Sequence, residues 1–329
     1  MKQHLNEIGI MRAFLILSIV LGHTFAIYSG FSASWIRPEA IRDVTAYHWL
    51  NWIFIAFSLQ SFVFISGYLM AYSESLTKIK PKVFIKKKFV RLILPLLFFG
   101  ICYSLWIDGK SSKELIDWGG VIYVLSGPGH LWFLPTLFLC FIGAIIIIKN
   151  CKWRILPTII LCIASLFVPD VLRLSQFCFY LIFFMTGYLI YFHREKVLNM
   201  RNTYLTIFWW VLAIFVALKI FFKSHIIPHQ TIFLWVNNIV LGILGSVLLL
   251  NLCHKLTKYK CIVLIGTWNG FFGVYLFHQF ILRYLIYKTE FLYSMNSYVY
   301  PIVIFVVTII TSVLLSCLFL KNQILRKLI

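Results

Sequence analysis

Long apolar runs alternate with short polar connectors along almost the whole chain. Runs of this kind predict membrane-spanning helices, because about 20 apolar residues at 1.5 Å each cross the hydrocarbon core of a bilayer. The pattern predicts ten spans, near residues 10–29, 50–72, 92–107, 131–148, 155–170, 175–192, 204–222, 231–252, 262–284 and 298–319. We therefore expect an all-α, polytopic integral membrane protein with about ten transmembrane helices.

Two of the predicted spans are short. Residues 92–107 and 155–170 form runs of 16 residues each, so each span either crosses with little tilt or extends into a neighbouring connector. Residues 115–126 are also apolar, but Asp117 and a Gly-Gly pair interrupt them. We expect this last segment to lie at the membrane interface or to re-enter the membrane.

Composition and charge support the membrane assignment. Hydrophobic residues make up 61% of the 329 residues and charged residues 12%, against about 25% charged in soluble domains. The net charge of +20 suggests nucleic acid, but 20 of the 30 Lys and Arg residues lie in the connectors on the side of the N-terminus. Eight lie in the opposite connectors and two in predicted spans. By the positive-inside rule, both termini are cytoplasmic and nucleic acid is not a partner.

No internal repeat or low-complexity linker divides the chain, so we expect a single membrane domain over residues 1–329 with no soluble appended domain. The first apolar run is long and lacks a small-residue cleavage site, which predicts a retained helix. All eight Cys lie in predicted spans or inner connectors, so we expect no structural disulfide. Their spacing fits no metal site, and no metal is expected.

The first predicted span carries two ionisable side chains, Arg12 and His23, whereas no Asp or Glu lies well inside any span. Such groups are costly in a bilayer and indicate function. Eleven residues at 100° each put both side chains on one helix face, about 16 Å apart along the axis. We favour a functional pair over the alternative, in which Arg12 reaches lipid headgroups and His23 bonds a neighbouring helix.

Two further stretches lie towards the cytoplasmic side. Ser66-Gly67 ends the second predicted span and is either a packing contact between helices or part of a site. Lys88 and Arg91 are three residues apart in a basic connector. The positive-inside rule explains them as topology determinants, and their shared helix face alternatively predicts a phosphate clamp.

Two more His residues lie towards the outer side. His130 follows Gly127-Pro128-Gly129, and this broken start of a span predicts irregular backbone facing protein or a water-filled cavity. His278 lies in the ninth predicted span, three residues after Tyr275. Each His alone is more often a packing or interfacial residue. We nevertheless expect His23, His130 and His278 in the same outer half of the membrane, which favours a site.

In the order and membrane placement of these residues, the whole chain resembles membrane acyltransferase family 3, the O-acyltransferases of bacterial surface glycans. Five short motifs carry the resemblance, and their residues here are Arg12 and His23; Ser66, Gly67 and Leu69; Lys88 and Arg91; His130, Trp132 and Phe133; and Tyr275 and His278. Lys88 stands where the family commonly has Arg, which removes a bidentate phosphate contact.

The resemblance implies that acyl-CoA from the cytoplasm donates an acyl group to a hydroxyl of a sugar, in a cell-surface polysaccharide or its precursor. Acetyl-CoA is the expected co-substrate, and the bacterial inner membrane is the expected location. The implied donor-binding residues are Arg12, Lys88, Arg91, Ser66 and Gly67, and the implied substrate-binding residues are His130, Trp132 and Phe133. Proteins of glycan synthesis are further expected partners.

In the absence of a carboxylate within the spans, His23 is the best candidate for a general base near neutral pH. His278 or Tyr275 would orient it or stabilise the developing oxyanion. The sequence does not separate direct transfer from an acyl-histidine intermediate. It also leaves open the acceptor, acetyl against succinyl transfer, and the oligomeric state.

Two other functional classes fit part of the sequence. An exporter or flippase for a glycan or a lipid-linked sugar would suit a basic, aromatic-rich chain, but the sequence shows no inverted repeat and no intramembrane carboxylate for ion coupling. A passive scaffold in glycan synthesis would leave the alignment of Arg12 with His23 unexplained. We therefore favour the acyltransferase.

Overall fold

A computed structural model describes residues 5–29, 35–76, 80–224, 230–323 and 325–329. It is 83% helical, and the described residues contain no strand, which confirms the all-α prediction. The α-helices are α1 (Asn6–Ser29), α2 (Thr45–Ile55), α3 (Ser58–Leu76), α4 (Pro81–Trp106), α5 (Ser112–Ile116), α6 (Trp118–Ser126), α7 (Phe133–Asn150), α8 (Ile155–Ala164), α9 (Leu174–Phe192), α10 (Arg194–Leu198), α11 (Asn202–Ser224), α12 (Gln230–Leu256), α13 (Lys260–Gly266), α14 (Phe271–Tyr287) and α15 (Tyr300–Lys321).

Eight helical stretches in the described part of the chain are long and apolar enough to cross a membrane. The pair α13 and α14 is long and apolar enough only when taken together, and it bends by 71° between Gly266 and Phe271, as in a broken span or a re-entrant segment. The predicted span at residues 50–72 consists of two helices, α2 and α3, because the chain breaks at Ala56-Phe57. The helices α5 and α6 have five and nine residues and are too short to cross, as expected for the segment at residues 115–126.

The short predicted span at residues 92–107 extends into its connector. Helix α4 begins at Pro81 and is 26 residues long, so Lys88 and Arg91 lie inside a helix rather than in the predicted connector. Lys and Arg are good helix formers, and their aliphatic stems cover apolar surface while the charged ends reach water. Pro81 suits the start of this helix. The first backbone N–H groups of a helix have no partner within it, so the N–H that proline lacks costs no hydrogen bond there.

Helix α8 is also apolar, but its ten residues span only about 15 Å, about half the thickness of the hydrocarbon core. Arg173, just before α9, donates to the Ser126 carbonyl, which precedes α7 (2.7 Å). Arg154, between α7 and α8, lies 5.7 Å from the ring of Tyr188, near the end of α9. Helices α7 and α9 therefore run in the same direction, and α8 with its following turn returns the chain between them.

The chain divides into two compact units. Unit 1 comprises Met1–Phe62 and His193–Leu314, and unit 2 comprises Val63–Phe192 and Leu315–Ile329. In unit 1, α1 packs against α2, α12, α13 and α14. In unit 2, α7 packs against α4 and α9, and α9 also packs against α8. Each unit therefore has its own buried core, and each carries part of the predicted functional residues.

Close backbone approach fixes the position of α1 in unit 1. A Cβ atom on Gly9 would lie 2.6 Å from the carbonyl oxygen of Gly266, and one on Gly266 would lie 2.7 Å from the nitrogen of Ile10. Larger residues would force the two helices apart, because real Cβ contacts are essentially never this short. Gly-lined crossings of this kind are typical of membrane helices, where van der Waals packing and not hydrophobic burial drives association. The crossing places α1 against the bend between α13 and α14.

Candidate functional site

Helices α1 and α14 bring His23 and His278 together. The centroids of the two imidazole rings are 5.4 Å apart and their planes are tilted by 31°. His278 is fully buried and His23 is partly buried. The sequence prediction that these two His residues converge is correct within unit 1.

A backbone hydrogen bond fixes the tautomer of His278. Its Nδ1 atom lies 2.6 Å from the carbonyl oxygen of Tyr275, one helical turn earlier. A carbonyl oxygen only accepts hydrogen bonds, so Nδ1 carries the proton and the lone pair resides on Nε2. Tyr275 therefore orients His278 through its main chain, and its ring centroid lies 5.9 Å from that of the imidazole.

Gln279 is a site residue that sequence reasoning missed. Its buried Nε2 amide lies 3.3 Å from Nε2 of His23. Because an amide nitrogen donates, His23 accepts at Nε2 and carries its own proton on Nδ1. A neutral amide is not among the ionisable groups that stand out in a span. The available signal was a Gln next to His278 in an otherwise apolar stretch.

Trp35 and Arg283 complete the surroundings of His23. The ring of Trp35 stacks on His23 with centroids 5.6 Å apart, and the guanidinium of Arg283 lies 4.8 Å from the Trp35 ring. Trp35 is 5% exposed, although the sequence placed it in a connector. Sequence reasoning did not identify either residue as part of the site, because they are 248 positions apart and only the fold brings them together. Their packing restrains the His23 ring and places a positive charge near it.

The backbone next to His23 is held by α2. Asn51, buried in α2, donates from Nδ2 to the carbonyl of Gly22 at 2.5 Å. A Cβ atom on Gly22 would lie 2.4 Å from Cγ2 of Ile55, so the absence of a side chain at Gly22 lets α2 pack closely against α1 at this point. The structure thus places the side chain of Ile55 against the glycine next to His23.

Arg12 contacts the bend between α13 and α14. Its Nη2 atom donates to the carbonyls of Gly266 (3.5 Å) and Trp268 (3.4 Å), and its guanidinium lies 5.7 Å from the ring of Phe271. A broken membrane helix leaves carbonyls without helical partners, and Arg12 supplies donors to two of them. Because Arg12 and His23 share a face of α1, both side chains contact this bent pair of helices.

Unit 2 holds the remaining predicted donor-binding residues. The ammonium of Lys88 lies 4.1 Å from the ring centroid of Phe141 and 5.2 Å from that of Phe84. Arg91, on the same helix, is exposed. A Cβ atom on Gly67 would lie 1.9 Å from the carbonyl oxygen of Phe184, so Gly67 lies at a crossing of α3 and α9. This is the contact expected under the packing alternative for Ser66-Gly67.

The irregular backbone predicted before α7 is confirmed. Gly127 and Gly129 have φ values of +77° and +55°, and a 3₁₀ turn over Gly129–Trp132 follows. His130 in this turn is buried, with its ring 6.1 Å from that of Tyr103. The next residues also face aromatic neighbours or the core: Trp132 lies 5.7 Å from Tyr180, and Phe133 is buried.

Arg173 holds this irregular backbone in place. Its Nε atom donates to the carbonyl of Ser126 at 2.7 Å and its Nη2 atom to that of Gly127 at 3.3 Å. Its Nη1 atom also donates to Asp170 at 3.1 Å. The sequence suggested only an ordinary outer-connector charge at Arg173, since its carbonyl partners are more than 45 residues away in the chain.

The structure thus divides the predicted site residues between the two units. Unit 1 brings together His23, His278 and Tyr275, with Arg12 at the bend that precedes them. Unit 2 contains the other predicted residues, namely Ser66, Gly67, Lys88, Arg91, His130, Trp132 and Phe133. Five partners that sequence reasoning missed are Trp35, Asn51, Arg173, Gln279 and Arg283.

Comparison with known proteins gives one family. The family model of an acyltransferase domain, that of acyltransferase family 3, matches residues 5–321 and thus nearly the whole chain. No curated protein and no solved structure matches the chain. The matched range contains every predicted site residue of both units.

Proposed function

Because the chain belongs to acyltransferase family 3, we propose that it moves an acetyl group from cytoplasmic acetyl-CoA to a sugar hydroxyl of a cell-surface polysaccharide or its precursor. The family makes the chain an acyltransferase, and its long apolar helices make it a multi-pass membrane protein. The acetyl donor, the sugar acceptor and a bacterial inner-membrane location are the parts that we propose.

The close pair of His23 and His278 is the observation that carries this proposal. Acyl transfer needs a base that takes the proton of the acceptor hydroxyl while its oxygen attacks the thioester carbonyl. His23 has this role in our proposal. As the C–S bond breaks, the protonated imidazole returns the proton to the sulfur of the leaving CoA, so that the base is regenerated.

The tautomers suggest separate roles for the neighbouring groups. His278 has its proton on Nδ1, bonded to the Tyr275 carbonyl, so its Nε2 atom can accept from the acceptor hydroxyl but cannot donate to an oxyanion. The amide of Gln279 is a donor and can stabilise the negative charge that develops on the thioester oxygen. When Gln279 turns to that oxygen, it also releases Nε2 of His23 to take the proton.

The remaining assignments stay proposals based on the family motifs. Lys88, Arg91, Ser66 and Gly67 are proposed to bind the donor, and His130, Trp132 and Phe133 the acceptor. The family motif also implies Arg12 as a donor-binding residue, but we propose that it holds the bend before α14. Contacts within each unit already occupy several of them, Lys88 with aromatic rings and Gly67 with backbone. Substitution of donor-binding residues should raise KM for acetyl-CoA, whereas substitution of His23 should lower kcat.

The first test measures CoA release from radiolabelled acetyl-CoA by the protein in nanodiscs, where slow thioester hydrolysis reports donor chemistry without a known acceptor. His23→Ala should lower the release rate by about 100-fold or more, because general bases contribute about 10²–10⁴-fold. His48→Ala, a partly exposed His near the start of α2, is the matched control and should keep the wild-type rate. Absence of turnover with both acetyl-CoA and succinyl-CoA would overturn the proposal and favour the exporter.

A second measurement separates the two chemical routes. Wild-type protein is incubated with radiolabelled acetyl-CoA alone, quenched and analysed for label on the protein. Label that disappears in His23→Ala would establish an acyl-histidine intermediate. Label-free protein that transfers acetyl groups only when acceptor is added would establish direct transfer.

A further inference from the structure

Two adjoining cavities lie where the inner connectors of unit 1 meet. The larger, of about 510 Å³, is lined mainly by Asn199, His254, Lys255, Thr257 and Lys258. The smaller, of about 250 Å³, shares Asn199 and His254 and adds Glu7, Arg194 and Glu195. We call the two together the inner cavity. The positive-inside rule places it on the cytoplasmic side.

Hydrogen bonds between helices shape the walls of the inner cavity. Asn251, buried in α12, donates from Nδ2 to the carbonyls of Val197 (3.0 Å) and Leu198 (2.9 Å) at the end of α10. Lys255 donates from Nζ to Oδ1 of Asn202 at the start of α11 (3.3 Å). These hydrogen bonds hold the connector between α10 and α11 against the end of α12. They therefore fix the shape of the concave surface between the two segments.

The larger part of the inner cavity is basic. Lys255, Lys258, His254 and Thr257 line this part of the cavity, which is open to solvent and large enough for a nucleotide. Cations and hydroxyl donors around a concave surface suit phosphate oxygens. The smaller part is mixed in charge and offers the acceptor oxygens of Glu7 and Asn199, which suit an exocyclic amino group.

Helix α1 links the inner cavity to the His pair. It is continuous from Asn6 to Ser29, so Glu7 at the cavity and His23 are about 24 Å apart along its axis. An acyl-CoA carries its phosphates and its thioester at opposite ends of a pantetheine arm and must bind the two ends at separate places. Arg12, between them on α1, already donates to the carbonyls of Gly266 and Trp268. Unit 1 supplies further cations for the phosphates at Lys255 and Lys258.

We propose that the inner cavity is a binding site for the phosphates of a nucleotide-sized ligand, the 3′-phosphoadenosine diphosphate end of the acyl-CoA donor. Lys255 and Lys258 bind the phosphates, and Glu7 and Asn199 receive the adenine amino group. The identification of the ligand as the donor rests on the proposed function, whereas the phosphate site itself does not. The headgroup of an anionic lipid has the same phosphate chemistry, and the experiment separates the two sources.

The experiment uses the full chain in nanodiscs of phosphatidylcholine, which contain no anionic lipid. Binding of adenosine 3′,5′-bisphosphate and of CoA is measured by calorimetry, and KM for acetyl-CoA by CoA release. Lys255→Ala/Lys258→Ala should weaken both affinities and raise KM about tenfold or more, with kcat nearly unchanged, since each lost charge-assisted contact costs at least about tenfold. Lys258→Glu alone, which leaves the bond from Lys255 to Asn202 intact, should do the same.

The matched control is Lys149→Ala/Lys152→Ala, which removes two exposed inner-side charges that do not line the cavity. It should bind nucleotide like the wild type. Equal weakening in control and test variants, or none in either, would overturn the site. In parallel nanodiscs that also contain phosphatidylglycerol, the wild type would retain this lipid if the site binds lipid phosphate. Loss of that retention in the test variants, without a change in nucleotide binding, would overturn the donor assignment. Nucleotide binding that depends on Lys258 in a protein without acyl-CoA turnover would keep the site and reject the proposed function.

Discussion

Each unit contains a break before a membrane helix, and in each an Arg from a distant part of the chain bonds the released carbonyls. In unit 1, Arg12 donates to Gly266 and Trp268 at the bend before α14. In unit 2, Arg173 donates to Ser126 and Gly127 before α7. A predicted site His follows each break. These breaks differ in the surroundings of the Arg and in the distance from the break to the His.

Arg173 also forms an ion pair with the carboxylate of Asp170, in a connector where water solvates both groups. Arg12 lies inside a predicted span, where the transfer of a charge from water is costly and carbonyl partners matter more. His130 lies within its break, whereas His278 lies two turns into α14. A basic residue within a membrane helix can therefore serve a helix break and is not by itself evidence for a bound anion.

The largest effect is expected for Arg12→Lys. Lysine keeps the charge but loses the planar fork that reaches two carbonyls, so α14 and His278 should shift relative to His23. We expect kcat for CoA release to fall about 100-fold, as for a misplacement of about 1 Å, with KM for acetyl-CoA changed less than about threefold. A higher KM with unchanged kcat would instead identify Arg12 as a donor-binding residue, as the family motif implies.

Arg173→Ala tests the corresponding contact between an arginine and broken backbone in unit 2. Loss of two charge-assisted bonds to carbonyls should lower the free energy of unfolding by about 2 kcal/mol, while acceptor-independent CoA release changes less than about threefold. Thermal unfolding in nanodiscs and CoA release measure the two effects. A fall in CoA release as large as that of Arg12→Lys would remove the distinction between the breaks of unit 1 and unit 2.

A smaller effect is expected at a third break, between α2 and α3. Lys219 is buried in α11 and its Nζ atom lies 3.4 Å from the carbonyl of Ala56. Lys219→Met removes this contact but also removes the cost of a buried charge, so stability should change by no more than about 1 kcal/mol. CoA release should stay at the wild-type rate. A loss of activity without a loss of stability would assign Lys219 to the chemistry.

The smallest effect is expected for Asp43→Asn, in the outer connector before α2. Burial raises the pKa of Asp43, but hydrogen bonding from His48 (2.9 Å) and the charge of Arg37 lower it more, to a net value below the ordinary 3.8. Because the folded pKa is depressed, the carboxylate stabilises the fold above pH 3.8, and this contribution is lost as the pH falls through the folded pKa.

The carboxylate of Asp43 is about half exposed, so the effect of Asp43→Asn at pH 7 should not exceed about 0.5 kcal/mol. The unfolding midpoints of wild type and variant should converge when the pH is lowered below the pKa of Asp43. A difference that persists in acid would mean that Asn disturbs the connector for another reason.

The sequence predicted the crossings well because hydrophobic length is a local property. It did not reveal the break at Ala56-Phe57, since the residues on both sides are apolar. The contacts at the break, of Ala56 with Lys219 and of Phe57 with Gly245, join residues far apart in the chain. It also placed Lys88 and Arg91 in a connector, because charged residues were taken to end a span. Helix α4 continues through them, since helical hydrogen bonding is independent of side-chain charge.

For the site, the sequence identified the residues whose chemistry is unusual in a membrane. Arg12, His23 and His278 stand out in apolar spans, and their spacing predicted that Arg12 and His23 share a face. Trp35, Asn51 and Gln279 did not stand out, because an aromatic or neutral polar residue is unremarkable until its neighbour is known. Their importance comes from contacts with His23 or Gly22, most of them across long separations in the chain.

The sequence by itself thus determined that the chain is an all-α membrane protein and which family it belongs to, because both follow from composition, local pattern or motif order. The tertiary structure decided which of the conspicuous residues meet. It pairs His23 with His278, fixes the tautomer of His278 on the Tyr275 carbonyl and turns Arg12 to the bend before α14. These outcomes depend on where helices break and cross, and a crossing such as Gly9 with Gly266 joins residues more than 250 positions apart.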